Sequence, residues 1–429
     1  MENKSKNNLE LVAPAGNMEK LKAGLAHGAD AVYVGIPAFS LRARANEFDI
    51  KKISEATEYC RARGRKIYAT INIVAHNRHL KNLPEHIKKL KKIKVDGLII
   101  SDPGVLEIVR DVWPEAVIHL STQANCVNWR AAKFWHKTGV KRIILGRETT
   151  LAEIKEIHKK CPEVELEYFV HGAMCMAYSG RCFLSKYFVG RSGNLGDCVQ
   201  PCRWKYGVKS QKSKVESSPE QNFFIAEEKR LNQPLEIVEE ENGSYILNSK
   251  DLCLLKYLKD LRYAGVTSFK IEGRAKSVYY QAMVSGIYSR VIRDIDKIKK
   301  KEIDNLYKEL ENKIMNRGYT EGFLLGEKAD QEVEMSHQNI GWEFCGVVVG
   351  NNKNKIINIK VHNTLKSGDR IEIVTPFYGI INMKVNKLVD NKTNKEIGEA
   401  HGGAGKIVSI KLDKKHKLVP EFSVIRRKL

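Results

Sequence analysis

The chain has 429 residues, 42% of them hydrophobic and 29% charged, enough to bury a full core in two or three domains or in one barrel with an appendage. That balance excludes a disordered chain, and the longest apolar runs, GLIIS and RIILG, are too short to span a bilayer. Lys plus Arg outnumber Asp plus Glu by 73 to 51, a net charge of +22, which suits a polyanion such as nucleic acid or equally reflects a lysine-rich protein complement.

The first residues, MENKSKNN, are polar and lack the apolar stretch of a secretory signal, so a cytoplasmic location is expected. A reducing compartment keeps thiols free, which favours metal or cluster ligation over disulfides for the nine cysteines. Short apolar runs then recur, each followed by a helix-like segment: LELVAP (9–14), AVYVGI (31–36), KIYATINIVA (66–75), GLIIS (97–101), VIHLST (117–122), RIILG (142–146), ELEYFV (165–170) and SFKIEG (268–273). Helices are expected near 17–27, 49–63, 79–92, 103–111, 128–137 and 150–160. Gly28, Gly64, Gly139 and Gly265 each stand two or three residues before a strand, where a helix C-cap needs the left-handed conformation. Eight such units predict an α/β fold, a TIM-type (β/α)8 barrel with strands buried on both faces. An open doubly wound sheet is the alternative, but APAG after the first strand is not the phosphate fingerprint GxGxxG.

The seventh strand runs into HGAMCMAYSGRCFLSKYFVGRSGNLGDCVQPCRW (171–204), followed by a polar, weakly patterned segment near 208–242 that is expected to be partly mobile. The reading is a cysteine-rich insertion, 172–250, on a barrel occupying 1–330. A helical pattern resumes from 276 to 314. Beyond a polar linker near 327–340, the runs EFCGVVVG, KIINIKVH, DRIEIVT, GIINMKVNKLV, GKIVSIKL and FSVIRRK alternate like short strands between NNKN, KSGD and HGGAG turns. They predict a small antiparallel β-barrel over 338–429.

Barrel enzymes gather their chemistry at the C-terminal strand ends, here Pro14, Gly16, Gly35, Asn72, His76, Ser101, Asp102, Gln123, Asn125, Arg147, Glu148, His171, Glu272 and Arg274. Of these, Asp102, His171, Glu272 and Arg274 are the catalytic candidates. A solvated rim is polar for purely structural reasons too, and Arg147 with Glu148 reads equally as an ordinary ion pair. As a set the strand ends outline a pocket for a small anionic or hydroxylated ligand.

Cys175, Cys182, Cys198 and Cys202 follow C-x6-C-x15-C-x3-C. Thiolates suit soft metals and iron–sulfur clusters, whereas structural zinc favours two tight C-x2–4-C knuckles, so spacing puts a four-iron cluster ahead of zinc, with unligated thiols third. Cys253 is an alternative ligand; Cys60, Cys126, Cys161 and Cys345 are scattered and read as packing residues. Arg181, Lys186, Tyr187, Phe188, Arg191, Arg203 and Trp204 suit phosphate contact and base stacking, or equally the packing of the loop itself. Neither H-E-x-x-H nor G-x-S-x-G is present, and Glu167, His171, Cys175 and Ser185 do not single out a nucleophile and its base.

EYFVHGAMCMAYSGRCFLS resembles the signature of the collagenase-like peptidase family, family U, number thirty-two. ELVAPAGNMEKLKAGLAHGADAVYVGIPAFSLRARANEF, HLSTQANCVNWRAAKFW, NSKDLC and FKIEGRAKSVYY resemble its other blocks, so the likeness covers nearly the whole chain. Within the family the similarity is to members implicated in prephenate-dependent hydroxylation of the tRNA wobble uridine to 5-hydroxyuridine. That resemblance implies tRNA as partner, prephenate or a related small carboxylate as co-substrate, an electron-donor protein, and a 4Fe-4S cluster on Cys175, Cys182, Cys198 and Cys202. In some relatives the last ligand comes from the block matching NSKDLC, which puts Cys253 beside Cys202 as a candidate. Two carboxylates on prephenate would call for guanidinium clamps, for which Arg42, Arg44, Arg147 and Arg274 stand at strand ends. The family's older label keeps a metallo- or cysteine peptidase as the alternative, beside a factor acting on another RNA or a quinone precursor, and a non-catalytic tRNA binder with a structural metal.

Overall fold

The structure, a computed structural model, describes residues 9–41, 46–175, 177–178, 181–204, 206–211, 222–227, 235–237, 249–326, 340–353, 355–413 and 418–429. Eight parallel strands form the barrel: β1 Glu10–Ala15, β2 Ala31–Gly35, β3 Lys66–Ile71, β4 Gly97–Ile100, β5 Ile118–Leu120, β6 Arg142–Ile144, β7 Glu165–Ala173 and β8 Val266–Ile271. Each pairs with the next, and β8 pairs with both β7 and β1, which closes the ring. Closure leaves no free edge, and it explains why β1, β2 and β4 are buried at every position: one face meets the barrel interior and the other the surrounding helices.

The helices between strands begin on side-chain caps that the sequence supplies. Asn17, Asp49, Asp102, Asn128 and Thr150 each accept a hydrogen bond from a backbone N–H of the first turn, and Thr150 with Glu153 completes a reciprocal capping box. The expected glycine stops are there too. Gly28, Gly64, Gly139 and Gly265 have φ of 109°, 62°, 86° and 99°. At Gly265 a Cβ would lie 2.1 Å from the His158 ring, so both conformation and space demand glycine.

Between β7 and β8 the chain leaves the ring. Asp251–Cys253 returns antiparallel to the end of β7, and Tyr319–Thr320 adds parallel to it, extending the sheet past the barrel rim. Much of the segment expected to be mobile lies outside the described residues. Its described parts, 206–211, 222–227 and 235–237, form a three-stranded antiparallel ladder.

The C-terminal part is an antiparallel sheet of eight strands with a hydrophobic core of its own, including Val348, Ile359, Ile373 and Ile425. Val347, Val374, Tyr378 and Val424 belong instead to the barrel's core cluster, so the two parts share apolar packing. At that seam Arg426 is fully buried. It donates to Glu372 Oε2 at 2.7 Å and to Glu309 Oε2 at 2.8 Å, and Lys313 stands 2.9 Å from Glu309. Because Glu309 lies on the helix Lys300–Lys313 and Glu372 on the strand Arg370–Thr375, the guanidinium ties barrel to sheet. Arg426→Met is expected to cost about 3–5 kcal/mol in urea unfolding, since it leaves two carboxylates at a buried seam.

His27 crosses the same seam, donating through Nε2 to the Phe422 carbonyl at 2.9 Å. Burial pushes its imidazole from 6.5 down to about 4, with the hydrogen bond to Phe422 opposing. Below pH 6.5 the unfolded chain takes up a proton there that the folded protein refuses until about pH 4, so stability is complete above that window and falls through it. His119 and His171, both held low by burial, act in the same direction. His27→Gln keeps a donor and removes the titration; urea melts between pH 7 and 4 should show a shallower decline, by up to about 3 kcal/mol.

Candidate functional site

The barrel interior carries charges where an ordinary barrel has aliphatic layers. Glu167 on β7 is fully buried, and its carboxylate accepts from Lys270 Nζ at 2.6 Å, Ser268 Oγ at 2.8 Å and Arg142 Nη1 at 3.1 Å. Arg142 also donates to Glu165 at 2.8 Å and, in a short contact, to Glu10, which in turn accepts from Tyr68 OH at 2.8 Å and Lys66 Nζ at 3.0 Å. Burial alone would raise the Glu167 carboxyl, but Lys270 and Arg142 outweigh it and hold the group below its usual range. The array links β1, β3, β6, β7 and β8 across the interior.

At the C-terminal end of the strands this array opens into a cavity of about 130 Å³. Lys270, Arg147, Arg274 and Glu272 line it, with Asn72 and Gln123 among the neutral polar groups and Tyr33 and Phe169 as aromatic walls. Lys270 Nζ sits 4.2 Å from the Tyr33 ring centre, and the Arg147 guanidinium 4.0 Å from that of Phe169. Arg147 faces Glu272 at 3.6 Å. Arg274, 4% exposed, donates to the Leu41 carbonyl and, at 3.4 Å, to Thr70 Oγ1. Lys270 is met by Glu167 from beneath and Arg147 by Glu272, so the largely buried lining is dense in paired charge and suits a small polar ligand.

The cysteine segment forms the other side of this space. Cys175, Cys182 and Cys198 line the same cavity. Burial raises the Cys182 and Cys202 thiols, and the charges of the other cysteines act in the same direction. Among the described residues, no three His, Cys, Asp or Glu side chains close to the spacing of a single metal ion. Four thiols without histidine or carboxylate are a donor set that iron–sulfur clusters and structural zinc share. The segment is seated by Val74 N–H to the Asn194 carbonyl at 3.2 Å and by Arg181 Nε to Asn125 Oδ1 at 3.2 Å, contacts that reach the ends of β3 and β5.

The model for peptidase family U32 matches residues 16–334, and that for the peptidase family U32 C-terminal domain matches 341–426. The chain belongs to peptidase family U32. Curated relatives of this U32 chain include the tRNA hydroxylation protein P of Escherichia coli, 40% identical over 408 residues, covering 89% of each chain. The protein of the same name in Haemophilus influenzae is 36% identical and covers 92% of this chain and 91% of its own. A protein named collagenase in Porphyromonas gingivalis is 31% identical, covering 89% of this chain and 90% of its own.

Not every candidate reaches the cavity of the U32 barrel. Glu272 and Arg274, after β8, and Arg147, after β6, do. Asp102 does not line it; its Oδ1 accepts from Val105 N–H at 3.1 Å as the cap of helix Pro103–Val112. His171 lies behind the wall, 1% exposed, with Tyr280, Tyr288 and Tyr319 rings within 5.8 Å, and burial lowers its imidazole to about 3. It faces the helix layer because the register between β7 and β8 shifts between Lys270 and Ile271, which breaks the alternation that keeps Glu167 and Phe169 inward. Cys253 shares that outer layer, against Tyr288 OH at 3.7 Å, and burial pushes its thiol up to about 12. Arg147 turns to Glu272 rather than to its sequence neighbour Glu148. Arg42 and Arg44 lie outside the described residues.

Lys270 and Glu167 are the residues that strand-end reasoning missed. Their signal is in the sequence: a charge inside SFKIEG and another inside ELEYFV, strands otherwise apolar, where an inward charge demands a partner. Lys270→Met alone should lose about 3–5 kcal/mol in urea melts by stranding Glu167, and Glu167→Leu with Lys270→Met should regain at least half of it.

Proposed function

We propose that this U32 protein is an RNA-modifying enzyme that hydroxylates the wobble uridine of tRNA, with prephenate or a related small carboxylate as co-substrate and an iron–sulfur cluster on Cys175, Cys182, Cys198 and Cys202. The observation that carries the reading is the shared cavity: three of the four cysteines line the same space as Arg147, Lys270, Glu272 and Arg274. Two relatives named for tRNA hydroxylation, alike over about nine-tenths of the chain, support the reaction class. In this reading 1–330, with the insertion 172–250, is the catalytic unit and 338–429 an accessory one, working in the cytoplasm with an electron-donor protein.

A cluster, when bound, supplies one-electron transfer beside the cavity. The chain's own residues do the rest. The Arg147 and Arg274 guanidiniums match carboxylates bidentately, and Lys270, fixed by Glu167, adds a point charge below them. Glu272 holds Arg147 in place and excludes a second anion from its side. The cysteine segment covers the strand ends and keeps water from the reacting atoms.

The peptidase alternative has less behind it. Among the described residues no histidine hydrogen-bonds to a serine or cysteine, and Ser185 Oγ accepts from Val199 N–H at 3.1 Å. Nucleoside mass spectrometry of tRNA from a gene-deletion strain tests the function: 5-hydroxyuridine should vanish, and unchanged tRNA would sink the proposal. Anaerobically purified Cys175→Ala and Cys198→Ala should lose iron and acid-labile sulfide, whereas Cys253→Ala should retain both. Retention in all three would remove the cluster.

A further inference from the structure

The cysteine segment has an outer face that the cavity does not use. Tyr178, Phe183 and Tyr187 are 62%, 70% and 73% exposed, three large rings within ten positions of one another. The Tyr187 N–H bonds to the Phe183 carbonyl at 2.8 Å, so these two rings sit one helical turn apart on the same side of the helix Leu184–Val189. Ser185, on that helix, is buried and lines the cavity, so the helix separates cavity from aromatic face. Phe188 and Trp204, by contrast, are half-buried with ring centres 5.9 Å apart and pack the segment itself.

Charge says what kind of partner the outer face suits. Between Cys175 and Trp204 the only acidic residue is Asp197, and Arg191 holds it through two bonds of 3.1 Å. Arg181 and Lys186, both exposed, alternate along the chain with the exposed rings. Rings for apolar faces and cations between them match a nucleic acid strand, with bases to stack and phosphates to neutralise. Bases inside a duplex already stack on one another, so only unpaired ones offer a free face.

We propose that Tyr178, Phe183 and Tyr187 form a stacking platform for a single-stranded RNA loop, with Arg181 and Lys186 on its phosphates. The proposal rests on the RNA reading above and names the surface and the kind of RNA element. It is tested by fluorescence anisotropy of the full chain with a labelled tRNA transcript, its anticodon stem-loop and a blunt duplex of the stem. The hairpin should compete with tRNA and the duplex should not. Phe183→Ala with Tyr187→Ala should loosen Kd at least tenfold, given roughly fivefold or more per stacked base. Arg181→Ala and Lys186→Ala should each make the slope of log K against log salt shallower by about one. Phe134→Ala, an equally exposed ring on another helix at 60%, should change nothing. Phe183→Trp should keep affinity and show fluorescence quenching on RNA addition beyond that of the wild type, a readout that does not depend on a truncation folding. Wild-type affinity in the double alanine variant, or no added quenching in Phe183→Trp, overturns the platform while leaving the RNA reading intact, even if a protein contact is lost. Absence of tRNA affinity in the wild type overturns both.

Discussion

The fully buried carboxylate of Glu167 is the constraint on which the barrel is arranged. A charge at that depth is tolerable only with partners on every side, and Lys270, Arg142 and Ser268 supply them from β6 and β8. Since Arg142 reaches on to Glu10 of β1, a one-residue slip of any of these strands would turn its charge to the wrong face and strand the others. The array therefore fixes register around the closing seam β6–β7–β8–β1. It also delivers Lys270 to the cavity already oriented, with its ammonium anchored from below.

Above it, ring closure decides who meets whom. Arg147, Glu272 and Arg274 come from strand ends more than a hundred residues apart, and the cysteine segment, leaving β7, folds back over the same mouth. The consequence is a space with cations on one side and thiols on the other. That pairing of a charged wall with soft donors is what the proposed oxidative function rests on. The C-terminal sheet stands apart from the mouth. Its link through Arg426 joins helix Lys300–Lys313 to its own strands, which steadies the outside of the barrel rather than shaping the cavity.

Much of this was legible beforehand. Eight apolar runs with glycine stops implied the barrel because each βα unit is written locally, in caps, periodicity and turns. Glu272, Arg274 and Arg147 followed from the rule that strand C-termini converge. Asp102 and His171 obeyed the same rule on paper and still missed the cavity: one carboxylate is drawn to the free N–H groups of its helix, and the imidazole is turned outward by a register shift at the end of β7. Cys253, the cross-strand partner of His171, lies in the same outer layer, against Tyr288.

The amino-acid sequence by itself determined the eight barrel units, the family, and the four cysteines as a group, because propensity, capping and motif spacing act over a few residues. Only the tertiary structure decided that three of those thiols face Lys270, Arg147 and Arg274 across one cavity, that Arg147 chooses Glu272 over Glu148, and that Phe188 and Trp204 pack inward while Tyr178, Phe183 and Tyr187 remain in solvent. Those outcomes depend on side-chain phase and on contacts between distant segments, and burial, not spacing, settles which side of a strand or helix a residue presents.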